Sequence, residues 1–127
     1  MAASILVVDD ETAVASSLKT VLETKGYAVV IASSAFDATA ALHKDRFDLI
    51  LTDLRMETEN AGYDVVREAR CQPYDPMVLI LTAFPIAGRE WRKAGAHAMV
   101  TKPVSMQQLL RTIERLVAVR RARQSKA

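Results

Sequence analysis

Five polar side chains follow short apolar runs in this sequence. Ile5-Leu6-Val7-Val8 leads into Asp9 and Asp10. Leu49-Ile50-Leu51 leads through Thr52 into Asp53. Met77 to Leu81 leads into Thr82, and Ala96 to Val100 is followed by Thr101, Lys102 and Pro103. Asp9, Asp10 and Asp53 carry too much like charge to sit close together without a cation. A hard divalent ion such as Mg²⁺ takes oxygen ligands and keeps several waters, so one or two carboxylates are enough to hold it. Lys102 is a point-charge partner for a phosphate, and Thr82 can donate a hydrogen bond. Charge neutralisation of this kind suits phosphoryl transfer. The nucleophile left over is a carboxylate, Asp53.

What is missing narrows the chemistry. Neither GxxxxGK[ST] nor GxGxxG occurs, which argues against nucleotide binding. No His/Cys cluster has the spacing of a zinc site. His43 and His97 read as ordinary surface histidines rather than bases. Asp9 and Asp10 taken alone could simply cap a helix. Their recurrence with the other strand ends favours a shared site.

The elements that must position these groups alternate in type. Strands are expected over Ser4–Val8, Tyr27–Ala32, Asp48–Thr52, Met77–Leu81 and Ala96–Val100. Helices are expected over about 11–25, from Ser33-Ser34 to about Asp45, from Gly62 to about Arg70, over 86–94, and after Ser105 with the stripe Leu109, Leu110, Ile113, Leu116 and Val117. Gly26 and Gly95 end two of them. Such alternation implies an α/β fold: a doubly wound, five-stranded parallel sheet with helices on both faces. The chain is too short for an eight-fold barrel. Acids at the carboxyl ends of such strands sit where open α/β sheets bind ligands.

Half of the 127 residues are hydrophobic, enough for one domain with a real core. Cys71 is the single cysteine, so no internal disulfide can form, which suits a reducing compartment. No signal segment or membrane span is legible, and a cytoplasmic location is expected. The net charge of +2 divides unevenly: residues 111–127 hold six cations and one acid, leaving the rest at −3. The basic stretch suits a helix carboxyl end. No aromatics are interleaved with its cations, which argues against nucleic-acid contact.

The ordered set Ile5 to Glu11, Asp48 to Asp53, Leu79 to Ala83, Gly95-Ala96 and Lys102-Pro103 resembles the receiver domains of bacterial two-component response regulators. The resemblance covers about residues 4–119. It implies a flavodoxin-like fold and a receiver domain over 1–119, leaving 120–127 as a basic tail, a helix end or linker. It implies that Asp53 takes a phosphoryl group from a phosphohistidine on a sensor histidine kinase or phosphotransfer protein. It further implies Mg²⁺ bound by Asp10, Asp53 and the backbone carbonyl of Arg55, with Asp9 acting through water. Thr82 and Lys102 would contact the phosphoryl group, and Lys102–Pro103 would be cis. An output partner would use the face from Ile86 to Val119, and a second copy of the chain is a further candidate partner.

The sequence departs from the family pattern in several places. Glu57 stands where Pro is usual, and Gly62 lies nine residues after Asp53 instead of eight. Glu57 and Glu59 are expected to add negative charge near the site. Met99 occupies a switch position that is usually aromatic. The stretch from Thr82 to Lys102 is short and contains Pro85. Two other readings stand beside the phosphoacceptor. One is a receiver-like binding module that works without phosphate. The other is an aspartyl-phosphate hydrolase, against which Arg55 argues, because such enzymes carry an acid there.

Overall fold

The computed structural model describes residues 2–83 and 90–125. Its elements are β1 (Ser4–Val8), α1 (Thr12–Thr24), β2 (Ala28–Ala32), α2 (Ala35–Lys44), β3 (Leu49–Thr52), α3 (Ala61–Arg70), β4 (Met77–Thr82), α4 (Glu90–Ala94), β5 (Ala98–Thr101) and α5 (Met106–Ser125). The expectations for Pro85 and for residues 86–89 of the fourth helix and partner face lie outside the described residues.

All five strands are parallel, in the order β2-β1-β3-β4-β5. The strand order reverses between β1 and β3, which creates the crevice where doubly wound sheets place ligands. Asp9 and Asp53 follow directly from these two strands.

The apolar runs are continuous because both sheet faces are covered. Alternate side chains feed two separate cores. Ile5, Val7, Leu49, Leu51 and Leu79 pack under α1 and α5, against Leu18, Leu22, Leu109 and Ile113. Leu6, Val8, Ile50, Val78 and Ile80 pack on the other face against Ala38, Leu42, Val65 and Val66. Each fully buried Leu or Ile contributes about 2 kcal/mol.

Helix ends follow local chemistry. Ser34 Oγ accepts the Asp37 N–H at 3.0 Å, and Ser105 Oγ accepts that of Gln108 at 3.0 Å. Gly26 adopts φ +94° after α1, a conformation that favours glycine.

The helix α5 continues beyond its apolar stripe. Arg120 lies one turn after Leu116 and Val117, faces the same way and is buried. Its guanidinium donates to the carbonyls of Tyr74 at 2.6 Å and Asp75 at 3.2 Å, and to Asp48 Oδ1 at 2.5 Å. Asp48 Oδ2 in turn accepts the Ser4 N–H at 2.8 Å. This network ties the late turns of α5 to the amino-terminal edge of the sheet.

One histidine departs from its expected place. His97 is half-buried just before β5, not on the open surface. Its N–H donates to the Val78 carbonyl at 2.8 Å, and its Nδ1 accepts the Val78 N–H at 3.0 Å. The ring thus supplies an acceptor for a strand N–H before the β5 ladder begins. His43 is exposed and pairs with Glu68 at 2.6 Å. Trp91 is half-buried against the α2–α3 core.

Candidate active site

Asp9 and Asp53 meet at the ammonium of Lys102. Lys102 Nζ lies 3.2 Å from Asp53 Oδ2 and 3.4 Å from Asp9 Oδ2. The side chains of Asp9, Asp53 and Lys102 are only 4%, 11% and 22% exposed, so this charge cluster is largely shielded from water. Burial works against the Lys102 ammonium, but the neighbouring Asp53 and Asp9 carboxylates outweigh it and hold its pKa above the ordinary lysine value.

Each acid is also fixed by backbone. Asp9 Oδ1 accepts the Glu11 N–H at 2.9 Å, closing a turn into α1. Asp53 Oδ1 accepts the Leu54 N–H at 2.7 Å. One oxygen of each carboxylate is therefore occupied by its own chain, and the other points at Lys102. The Lys102 N–H donates to the carbonyl of buried Thr82 at 2.8 Å, bringing the ends of β4 and β5 to the same place. The Lys102–Pro103 peptide is cis.

Gly62 sits against the backbone of Asp53 and Leu54. A Cβ there would fall 2.2 Å from the Asp53 carbonyl oxygen and 2.6 Å from Leu54 Cα. The Gly62 N–H donates to the Leu54 carbonyl at 2.8 Å. Only glycine allows α3 to start this close to the end of β3.

The three carboxylates do not all converge as expected. Asp10 is exposed, and among the described residues no three His, Cys, Asp or Glu side chains are grouped to hold a metal ion. Asp9 and Asp53 present carboxylate oxygens at Lys102 Nζ, and such oxygens fit a hard cation. Met99 is half-buried and packs on the α2–α3 core.

Of the two loop acids, Glu57 is held by backbone of another element. It reaches the start of α2, where its Oε1 and Oε2 accept the Ala35 N–H at 3.0 and 2.9 Å. Slight burial opposes its charge, while backbone N–H groups of Ala35, Glu57 and Phe36 hold its pKa below the usual carboxylate value. A helix amino terminus attracts a carboxylate through its free N–H groups and dipole. Glu59 is exposed. Nothing in the local sequence signals the Glu57 contact, because its partner lies 22 residues away.

A family model described as response regulator receiver domain matches residues 5–114. The chain belongs to the response regulator receiver family. The alginate biosynthesis transcriptional regulatory protein AlgB of Pseudomonas aeruginosa is 40% identical over 107 residues, which are 83% of this chain and 24% of AlgB. The receiver here thus spans about a quarter of that relative's length. A CheY-like receiver domain protein from Methanospirillum hungatei superposes with a TM-score of 0.90 at 28% identity, covering 97% of this chain and 99% of that one. The receiver domain of the sensor histidine kinase PA1611 from Pseudomonas aeruginosa has a TM-score of 0.81 at 26% identity, covering 93% of this receiver and 99% of its own chain. That structure has a magnesium ion coordinated in its active-site cleft. Among the described residues of this receiver, no helix is long and apolar enough to cross a membrane.

Proposed function

We propose that this receiver accepts a phosphoryl group on Asp53 from a phosphohistidine of a sensor kinase or phosphotransfer protein in the cytoplasm. The observation that carries the reading is the placement of Asp53 Oδ2 3.2 Å from Lys102 Nζ, at the point where the strand order reverses. An Asp53 carboxylate oxygen attacks phosphorus, the P–N bond breaks, and its electron pair returns to the imidazole of the donor. Asp53 Oδ1, held by the Leu54 N–H, orients the carboxylate for this attack. Lys102 balances charge on the transferring oxygens, and Thr82 donates to one of them. Asp10, Asp53 and the Arg55 carbonyl would hold Mg²⁺, with Asp9 reached through water; bound there, the ion would supply the remaining charge neutralisation. The magnesium found in the PA1611 receiver supports this assignment.

The altered charge at Asp53 then biases the face formed by α4, β5 and α5. Met99 has no ring to swing but can refill a gap, so the rearrangement on that face is small. Incubation with phosphoramidate and Mg²⁺, which offers a P–N bond without a protein donor, tests the chemistry. The expected product is a hydroxylamine-sensitive acyl phosphate. Its absence under conditions that label other receivers contradicts the proposal.

A further inference from the structure

We infer that Glu57 is a positioning residue for the cation and phosphoryl site, holding the β3–α3 loop in register with the β1–α1 loop through the first turn of α2. The inference rests on the proposed phosphoryl acceptance at Asp53. It gives the acid at this position a role through its bond to the start of α2.

The loops that carry the candidate ligands are stitched at three points. The Asp53 N–H donates to the Val8 carbonyl at 3.0 Å, joining the end of β3 to the end of β1. The Asp9 N–H donates to the Ala32 carbonyl at 3.1 Å, joining the β1–α1 loop to the end of β2. Three residues later, the Ala35 N–H is held by both oxygens of Glu57, joining the start of α2 to the β3–α3 loop. The belt runs from Asp53 through Val8 and Asp9 to Ala32, then through Ala35 and Glu57 back to the loop after Asp53.

The last stitch matters because of what it encloses. Leu54 is anchored by its N–H on Asp53 Oδ1 and by its carbonyl on the Gly62 N–H. Glu57 anchors the same loop three residues on. Arg55, whose carbonyl is the proposed ligand, lies between these two anchors. Removing the second anchor loosens the tie of this loop segment to Asp9 and Asp10 through α2, while the Met56 N–H still donates to the Thr58 carbonyl at 3.1 Å and the Met56 side chain still packs on the α2–α3 core. The other α2 contacts survive that change, since Ser34 Oγ holds the Asp37 N–H and the Ser34 carbonyl holds that of Ala38.

A capping role alone would alter stability and leave cation affinity untouched. A positioning role changes affinity, because groups that orient metal ligands commonly govern it by about tenfold or more. The test compares the parent with Glu57→Ala and Glu57→Gln. Mg²⁺ affinity is read by calorimetry, labelling by acetyl phosphate is followed against Mg²⁺ concentration, and exchange is measured at the Ala35 amide. Glu57→Ala is expected to weaken Mg²⁺ binding by about tenfold, to raise the Mg²⁺ needed for half-maximal labelling equally, and to leave the rate at saturating Mg²⁺ near the parent's. Exchange at Ala35 should quicken. Glu57→Gln keeps an oxygen acceptor without the charge and should recover part of the loss. Unchanged Mg²⁺ affinity in Glu57→Ala, or tighter binding and faster labelling, overturns the positioning role. A parent that neither binds Mg²⁺ nor accepts phosphoryl overturns the underlying reading instead, so the two failures are distinct.

Discussion

Lys102 Nζ stands 3.2 Å from Asp53 Oδ2 and 3.4 Å from Asp9 Oδ2, one cation shared between two shielded acids. The three residues come from the ends of three different strands, so the cluster exists only when the sheet is assembled. Removal of the Lys102 ammonium leaves two shielded carboxylates without their cation, and such unpaired charge is costly.

Lys102→Ala is therefore expected to lower stability by about 2–4 kcal/mol. Mg²⁺ should restore more of that loss than it adds to the parent, because a second cation takes up the same charge. Urea unfolding of both proteins with and without Mg²⁺ measures this. The Lys102 pKa is raised, so its contribution is complete below the unfolded lysine value of 10.5 and is lost only as pH rises through the higher folded value. The difference between parent and variant should thus be insensitive to the Lys102 proton between pH 6 and 9. A difference that vanishes near neutrality contradicts the shared-cation account.

His97 gives the opposite pH dependence. Burial first, then the Arg70 and Arg123 guanidiniums, push its pKa below 6.5, with Asp75 opposing. Below pH 6.5 the unfolded chain takes up this proton before the folded protein does. Stability therefore falls as pH drops from about 6.5 toward the folded value, and the contribution is fully recovered above 6.5. His97→Asn should flatten unfolding free energy between pH 7 and 5. His97→Ala should cost about 1–3 kcal/mol even at pH 8, because the Val78 N–H loses its acceptor.

Arg120 makes the last turns of α5 part of the packed body. Arg120→Met leaves Asp48 and the Tyr74 carbonyl without their cationic partner and should cost about 3 kcal/mol. Asp48→Asn combined with Arg120→Met should cost less than the sum of the two single changes. A chain ending at Val119 should be destabilised to a similar extent as Arg120→Met. Thermal unfolding of the four variants decides it, and additivity of the pair would count against a shared network.

Much of this architecture could be read from the chain itself. The run from Leu49 to Thr52 is buried throughout, and only a strand covered on both faces permits four such residues in succession. The residues that follow such strands were bound to gather at the switch point, which is why Asp9, Asp53 and Lys102 were legible as a set. Less legible were the groups whose partners are distant in sequence. Glu57 looked like an acid beside an acidic site, and only the fold shows a helix start offering it an N–H. His97 looked like a surface residue because no sequence pattern marks a strand N–H that lacks an acceptor. Arg120 carried a usable signal, its helical spacing from Leu116 and Val117, but a cation at that spacing reads as the end of the stripe. Asp9 and Asp10 share a strand end and read alike in sequence, yet the fold shields Asp9 and leaves Asp10 exposed.

The measurement closest to the central claim is the mass of the intact protein after incubation with acetyl phosphate and Mg²⁺, followed by peptide mapping. The parent should gain one phosphoryl group, located on Asp53, and Asp53→Asn should gain none. A parent of unchanged mass, or an Asp53→Asn variant labelled to the same extent, would contradict the account.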